Sequence, residues 1–209
     1  MTLRFSSREL RDLAVAWIAL GVAFAIFFAG GGSRAVSMLL EAGVVGPLVV
    51  SLVTAGLGFL LHELAHKVVA VRFDQIAEFR ADYSMLFLAV MSALVGFLFA
   101  APGAVHHRGR LTPREHGLIA LAGPVTNGLL ALVFAPVYVA GHFVGSPLLA
   151  LVGGRGVAIN LFLAAFNLVP FGALDGRTVL DWSTAVFVLT FVPAAAVTVF
   201  VVFVLGIGF

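Results

Sequence analysis

Long stretches without a single charge constrain this chain more than any other feature. Leu13–Gly30, Gly43–Leu61, Tyr83–Val105, Gly117–Gly154, Gly156–Leu174 and Trp182–Phe209 contain no Asp, Glu, Lys or Arg. A helix needs about 20 apolar residues to cross the hydrocarbon core of a bilayer, so these stretches supply five or six spans. Gly117–Gly154 holds one span and the start of another, divided near Gly141–Pro147, and Gly156–Leu174 continues the second. Only 11% of residues are charged, against roughly 25% in soluble domains. The fold class is therefore an all-α polytopic membrane protein. Nothing between the spans could form a separate soluble domain, so residues 1–209 are read as one membrane-embedded domain. The net charge of +2, with no basic patch interleaved with aromatics, excludes a nucleic-acid partner. With no cysteine there are no disulfides, thiolate metal sites or cysteine nucleophile. Arg4, Arg8 and Arg11 precede a short apolar core, as in a signal peptide, but Gly30-Gly31-Gly32 follows without a small-x-small cleavage site, which favours a retained anchor. Gly153-Gly154-Arg155-Gly156 is too short for a nucleotide fingerprint and reads as a helix interruption.

The second stretch ends in His62-Glu63-Leu64-Ala65-His66. Ionisable groups at membrane depth are costly and tend to be functional. On a helix, positions four apart share a face, so His62 and His66 can aim two imidazoles at one tetrahedral zinc ion. Glu63 sits about 100° round the helix from His62. It is poorly placed as a ligand to the same ion but well placed to take a proton from water, whose pKa zinc lowers to near 7. This is the zinc-peptidase spacing. A chance H-E-x-x-H arises in roughly one such sequence in a few hundred. Two histidines snorkelling at a helix end would not require a glutamate beside the first.

A catalytic zinc site usually has three protein ligands. His106 and His107 lie in a polar loop beside Arg108 and Arg110, His116 sits next to Arg114 and Glu115, and His142 lies in a short turn between spans; all four read as solvated or interfacial. Asp175 closes Asn167-Leu168-Val169-Pro170-Phe171-Gly172-Ala173-Leu174-Asp175, where Pro170 and Gly172 should break a helix. Unwound backbone at depth is tolerated inside protein or along a cavity, which suits an oxygen ligand. An Asp in an ordinary loop at the interface is the other reading of the same residues.

HELAH on one apolar helix, NLVPFGALDG on a later one, and Ala122-Gly123-Pro124-Val125-Thr126-Asn127 between them resemble the site-2 protease family of intramembrane zinc metalloproteases. The match runs from about Pro47 to Gly176. The resemblance implies one Zn2+ per chain held by His62, His66 and Asp175, with Glu63 as general base. It implies that Asn167 positions substrate or the developing oxyanion. The chain departs from larger members in having no room for a PDZ or nucleotide-sensing domain. Tyr83–Val105 also exceeds the short hairpin usual after the first motif.

For His62, His66 and Asp175 to meet, their helices must run in the same direction. That requires Tyr83–Val105 to enter and return on one side, with a turn near Gly96 or Pro102. The resulting elements are a zinc-motif helix over 44–71, a re-entrant segment over 83–105, a Gly-Pro-Asn helix over 116–141, an Asp-ligand helix over 156–176 and a C-terminal helix over 183–209. The positive-inside rule agrees. With re-entry and the N-terminus inside, Arg4, Arg8, Arg11, Lys67, Arg72, Arg80, Arg108, Arg110, Arg114 and Arg177 are cytoplasmic, and only Arg34 and Arg155 lie outside. A full crossing would leave seven cations inside and five outside. The N-terminus and the site are thus expected toward the cytoplasm of a multi-pass cell-membrane protein.

The resemblance implies cleavage of a peptide bond in or near the span of a single-span membrane substrate, in regulated intramembrane proteolysis. Such a helix must unwind locally first. A metal or proton transporter also carries His and Asp within spans, but it should show a second polar layer, and only Asn127, Asn160 and Asn167 add strong polarity. An inactive relative that binds membrane partners is a further reading, although every expected catalytic residue is present. Neither G-x-S-G nor G-x-G-D, the serine and aspartyl intramembrane signatures, occurs.

Overall fold

The computed structural model describes residues 2–99 and 102–208. Among these, five helices are long and apolar enough to cross a membrane: Ser7–Phe28, Val45–Arg72, Pro113–Phe143, Pro147–Asn167 and Thr184–Val204. The first is α1. The second joins α2 (Gly32–Ala42) through a short turn and comprises α3 (Val45–Ser51), a π-helical turn (Leu52–Gly56) and α4 (Leu57–Arg72). Then follow β1 (Ile76–Ala81), α5 (Tyr83–Leu94), β2 (Gly103–Arg108), α6 (Pro113–Phe143), α7 (Pro147–Asn167), α8 (Asp175–Trp182) and α9 (Thr184–Thr198), which a π-helical turn extends to Val204. The expected all-α class holds, with one two-stranded sheet, β1–β2, added to it. Contacts divide the chain, at a point inside α4, into two compact units.

One unit comprises Arg4–Leu60 and Glu78–His106. Here α1 packs on α5 through Ala23, Ala89 and Ala93, all fully buried, small side chains that let helix backbones approach closely. Two carboxylates in the first turns of α1, absent from any motif, fasten the strand region: Glu9 accepts from the Phe79 amide at 3.0 Å and Asp12 from the Tyr83 hydroxyl at 2.7 Å. The 12 residues of α5 reach only about 18 Å, short of a crossing. The chain turns at Gly96, whose φ of 85° favours glycine. It then comes back until the Asp82 amide donates to the Pro102 carbonyl at 3.0 Å. Asp82 and Pro102, at the two ends of this segment, therefore lie side by side.

The other unit comprises Leu61–Ala77 and the chain from His107 onward. A capping box at Thr112 and Glu115, with Pro113 in the first turn, starts α6 ahead of the uncharged stretch. The glycine cluster of α7 corrects an expectation. No interruption occurs there, and α7 runs unbroken through Gly153–Gly156. The glycines are used for packing instead: a Cβ at Gly153 would stand 2.2 Å from the Tyr138 amide nitrogen, and one at Gly156 would stand 2.2 Å from the Phe134 ring. The Asp-ligand helix over 156–176 is also two elements rather than one. It starts at Pro147, capped by the Ser146 hydroxyl, and stops at Asn167. Proline lacks the N–H a helix needs, and past Pro170 the backbone at Gly172 turns to a φ of 60°, so Asp175 opens a separate helix, α8. That helix docks through fully buried Val179 against Ala120 and Phe187, and Trp182 lies over Gly117.

Candidate metal centre

The motif residues lie deep in their span. His62 is ten residues before Arg72, the last residue of α4, so about 15 Å of helix separates it from that end. His62, Glu63 and His66 are all buried, at 4%, 7% and 8% exposure. The two imidazoles stack edge to face with centroids 4.6 Å apart, the consequence of i, i+4 spacing on one face. Each of His62, Glu63 and His66 offers a ligand atom within 4.8 Å of the others.

Both rings turn Nδ1 outward to an acceptor. His62 Nδ1 donates to Asn127 Oδ1 at 2.6 Å, and His66 Nδ1 donates to the Ile119 carbonyl at 2.7 Å. A neutral imidazole that donates from Nδ1 carries a lone pair on Nε2. Both Nε2 atoms face Asp175 Oδ2, at 3.2 Å from His62 and 3.4 Å from His66. That oxygen is buried and accepts no hydrogen bond. Three atoms able to bind a metal thus converge, and a cation between them would satisfy all three. Two imidazoles and a carboxylate form a ligand set that suits zinc, and outward hydrogen bonds that orient metal-binding histidines are the usual supporting shell. The floor of the site is Gly123 of α6: a Cβ there would lie 2.4 Å from His62 Nε2 and 2.6 Å from His66 Nε2. The donor set fits a metal ion.

The residues singled out in the sequence fare differently. His62, Glu63, His66 and Asp175 come together. Asn167 is the last residue of α7, where its side-chain NH2 donates to the Leu163 carbonyl at 2.9 Å. His107 and His116 contact each other edge to face at 5.5 Å, and His142 packs on Tyr138. None of these three belongs to the His62–His66 group. Lys67, counted above among the cytoplasmic cations, is buried to 1% exposure. Two contributions lay outside the reading of the sequence. The Ile119 carbonyl is backbone and carries no sequence signal. Asn127 and Asn160, both 0% exposed, carried one as polar residues inside spans but no assigned task.

Helices of membrane-crossing length that bury an H-E-x-x-H pair against a converging carboxylate define a class, that of a multi-pass membrane protein with the donor set of a metallohydrolase. Comparison with known proteins narrows it. The chain is 38% identical over 202 residues to "Putative zinc metalloprotease MJ0611" of Methanocaldococcus jannaschii, a match that spans 96% of this chain and 97% of that protein. It is 31% identical over 150 residues to "Putative zinc metalloprotease YwhC" of Bacillus subtilis, 64% of this chain and 67% of the relative. No family model and no solved structure matches. The chain belongs to the family of these zinc metalloproteases.

Proposed function

We propose that this protein is an intramembrane zinc metalloprotease of the site-2 protease type. It cuts a peptide bond within or near the span of a single-span membrane protein. The observation that carries the reading is the convergence of His62 Nε2, His66 Nε2 and the unsatisfied Asp175 Oδ2 on a membrane-length helix. These three residues hold one Zn2+ per chain, which when bound supplies Lewis acidity and a water acidic enough to ionise near neutral pH. Glu63, held beside His62 by the helix, accepts the proton of the attacking water and returns it to the leaving amine. Asn167 exchanges its bond to the Leu163 carbonyl for the substrate's developing oxyanion, a donor role that such sites use to stabilise charge. The N-terminus and the site lie toward the cytoplasm, as the cation asymmetry favours.

A transport path would use the intramembrane asparagines as a second polar layer. Asn127 and Asn160 are instead fully buried and hydrogen-bonded to each other, which favours a hydrolase. The test is metal analysis of detergent-purified protein beside Asp175→Ala, with cleavage of a generic single-span substrate in parallel. About one zinc per chain, lost or weakened in the variant together with cleavage, is expected. Stoichiometric zinc and unaltered cleavage in the variant would remove Asp175 from the site.

A further inference from the structure

We infer that Asn127 and Asn160 form a two-residue relay that holds His62 with its proton on Nδ1 and its Nε2 free for the metal. The inference rests on the metal reading above and extends it to two residues that touch neither metal nor substrate. The Gly156 carbonyl can only accept, and the Asn160 side chain reaches it at 2.8 Å through Nδ2. This places Asn160 Oδ1 at the opposite end of the amide, where Asn127 Nδ2 donates to it at 2.9 Å. Asn127 must then present Oδ1 to His62, and the 2.6 Å contact there requires a proton on His62 Nδ1.

Each link has one polarity, inherited from a backbone carbonyl in the middle of α7. Both asparagines are 0% exposed, so no bulk water competes for their hydrogen bonds. A carboxamide is otherwise an ambiguous partner for an imidazole, since either end can face the ring. With its NH2 turned to His62, Asn127 would favour the wrong tautomer and cover the ligand lone pair with a proton. His66 needs no such device because its Nδ1 partner, the Ile119 carbonyl, is itself backbone. The relay gives His62 the same certainty at two removes. Loss of the hydrogen-bond partners that orient metal-bound histidines typically costs 10–100-fold in metal affinity.

Zinc affinity of the full-length chain in detergent, by competition with a chromophoric chelator, tests the relay, with the ligand-field spectrum of the Co2+ form as a second readout. Asn127→Leu keeps volume but removes the acceptor, whereas Asn127→Asp keeps an acceptor for Nδ1–H. Asn127→Leu should weaken zinc about 10–100-fold and alter the cobalt spectrum. Asn127→Asp should bind at least about tenfold tighter than Asn127→Leu. A residue that served only packing gives the reverse order, Leu tolerated and a buried Asp not, and that order overturns the relay. Asn160→Leu, which lies two hydrogen bonds from the ring, should weaken zinc by several-fold. Unchanged affinity there also overturns the proposal, including in the event that Asn127→Leu does not fold. Failure of the unaltered protein to bind zinc is a different result and refutes the metal reading instead.

Discussion

At the scale of single residues, the proposed function separates holding a metal from using it. With Glu63 as the proposed base and not a ligand, Glu63→Gln should leave zinc stoichiometry unchanged and lower cleavage by about 10²-fold or more, the range for loss of a general base. Loss of zinc in that variant would make Glu63 a ligand instead of a base. Gly123 is the opposite case, a residue with no chemistry whose side must stay bare. Gly123→Ala sets a methyl 2.4 Å from His62 Nε2, so the imidazoles must turn. Zinc affinity should fall at least about tenfold, on the scale of disturbed ligand orientation, with helix content by circular dichroism unchanged. Gly128→Ala, on the same helix and facing open space, is the matched control and should bind zinc normally. Equal affinity in the two variants would mean that the imidazoles are not confined as described.

At the scale of elements, the close packing of α6 on α7 sets the distance between the two asparagines. Gly153 permits it, because a Cβ there would fall 2.2 Å from the backbone nitrogen of Tyr138, which cannot rotate away as a side chain could. Gly153→Ala should therefore destabilise the protein by about 1–3 kcal/mol, the usual cost of overpacking, read as a lower thermal midpoint in detergent. It should also weaken zinc, since Asn127 on α6 and Asn160 on α7 would be pushed apart. A variant with an unshifted midpoint would show that the helices separate freely. The break between α7 and α8 works in the other direction. Had α7 continued past Asn167, Asp175 would ride its surface; with Pro170 and Gly172 ending it, Asp175 begins a helix anchored by Val179, and its carboxylate turns to the histidines.

At the scale of the whole molecule, orientation in the membrane is the property most open to direct test, because the chain has no native cysteine. Single cysteines at Arg110 and Val144, exposed positions flanking α6, should react with a membrane-impermeant thiol reagent from opposite sides, Arg110→Cys from the cytoplasmic side. Reaction of both from one side would abolish the crossing by α6, and reaction of Arg110→Cys from outside would reverse the topology. Sequence alone marked the five helices able to span, because uncharged runs of membrane length have few other stable fates, but it also marked Tyr83–Val105, whose helix is too short to cross. It also determined the His62–Glu63–His66 face, because i, i+4 geometry is local to one helix. Asp175 was legible only in conjunction with the other motifs, since the 109 positions from His66 to Asp175 (175 − 66) leave their distance to tertiary packing. Short-range rules did not reveal the β1–β2 pair, whose six-residue strands are too brief for a period-two pattern to stand out, nor the use of the α7 glycines for contact instead of a break. Only the tertiary structure decided what orients the imidazoles: a backbone carbonyl at Ile119 and an asparagine pair from two helices. Hydrogen-bond polarity between segments far apart in the chain depends on which atoms the fold brings face to face, and no local pattern records that.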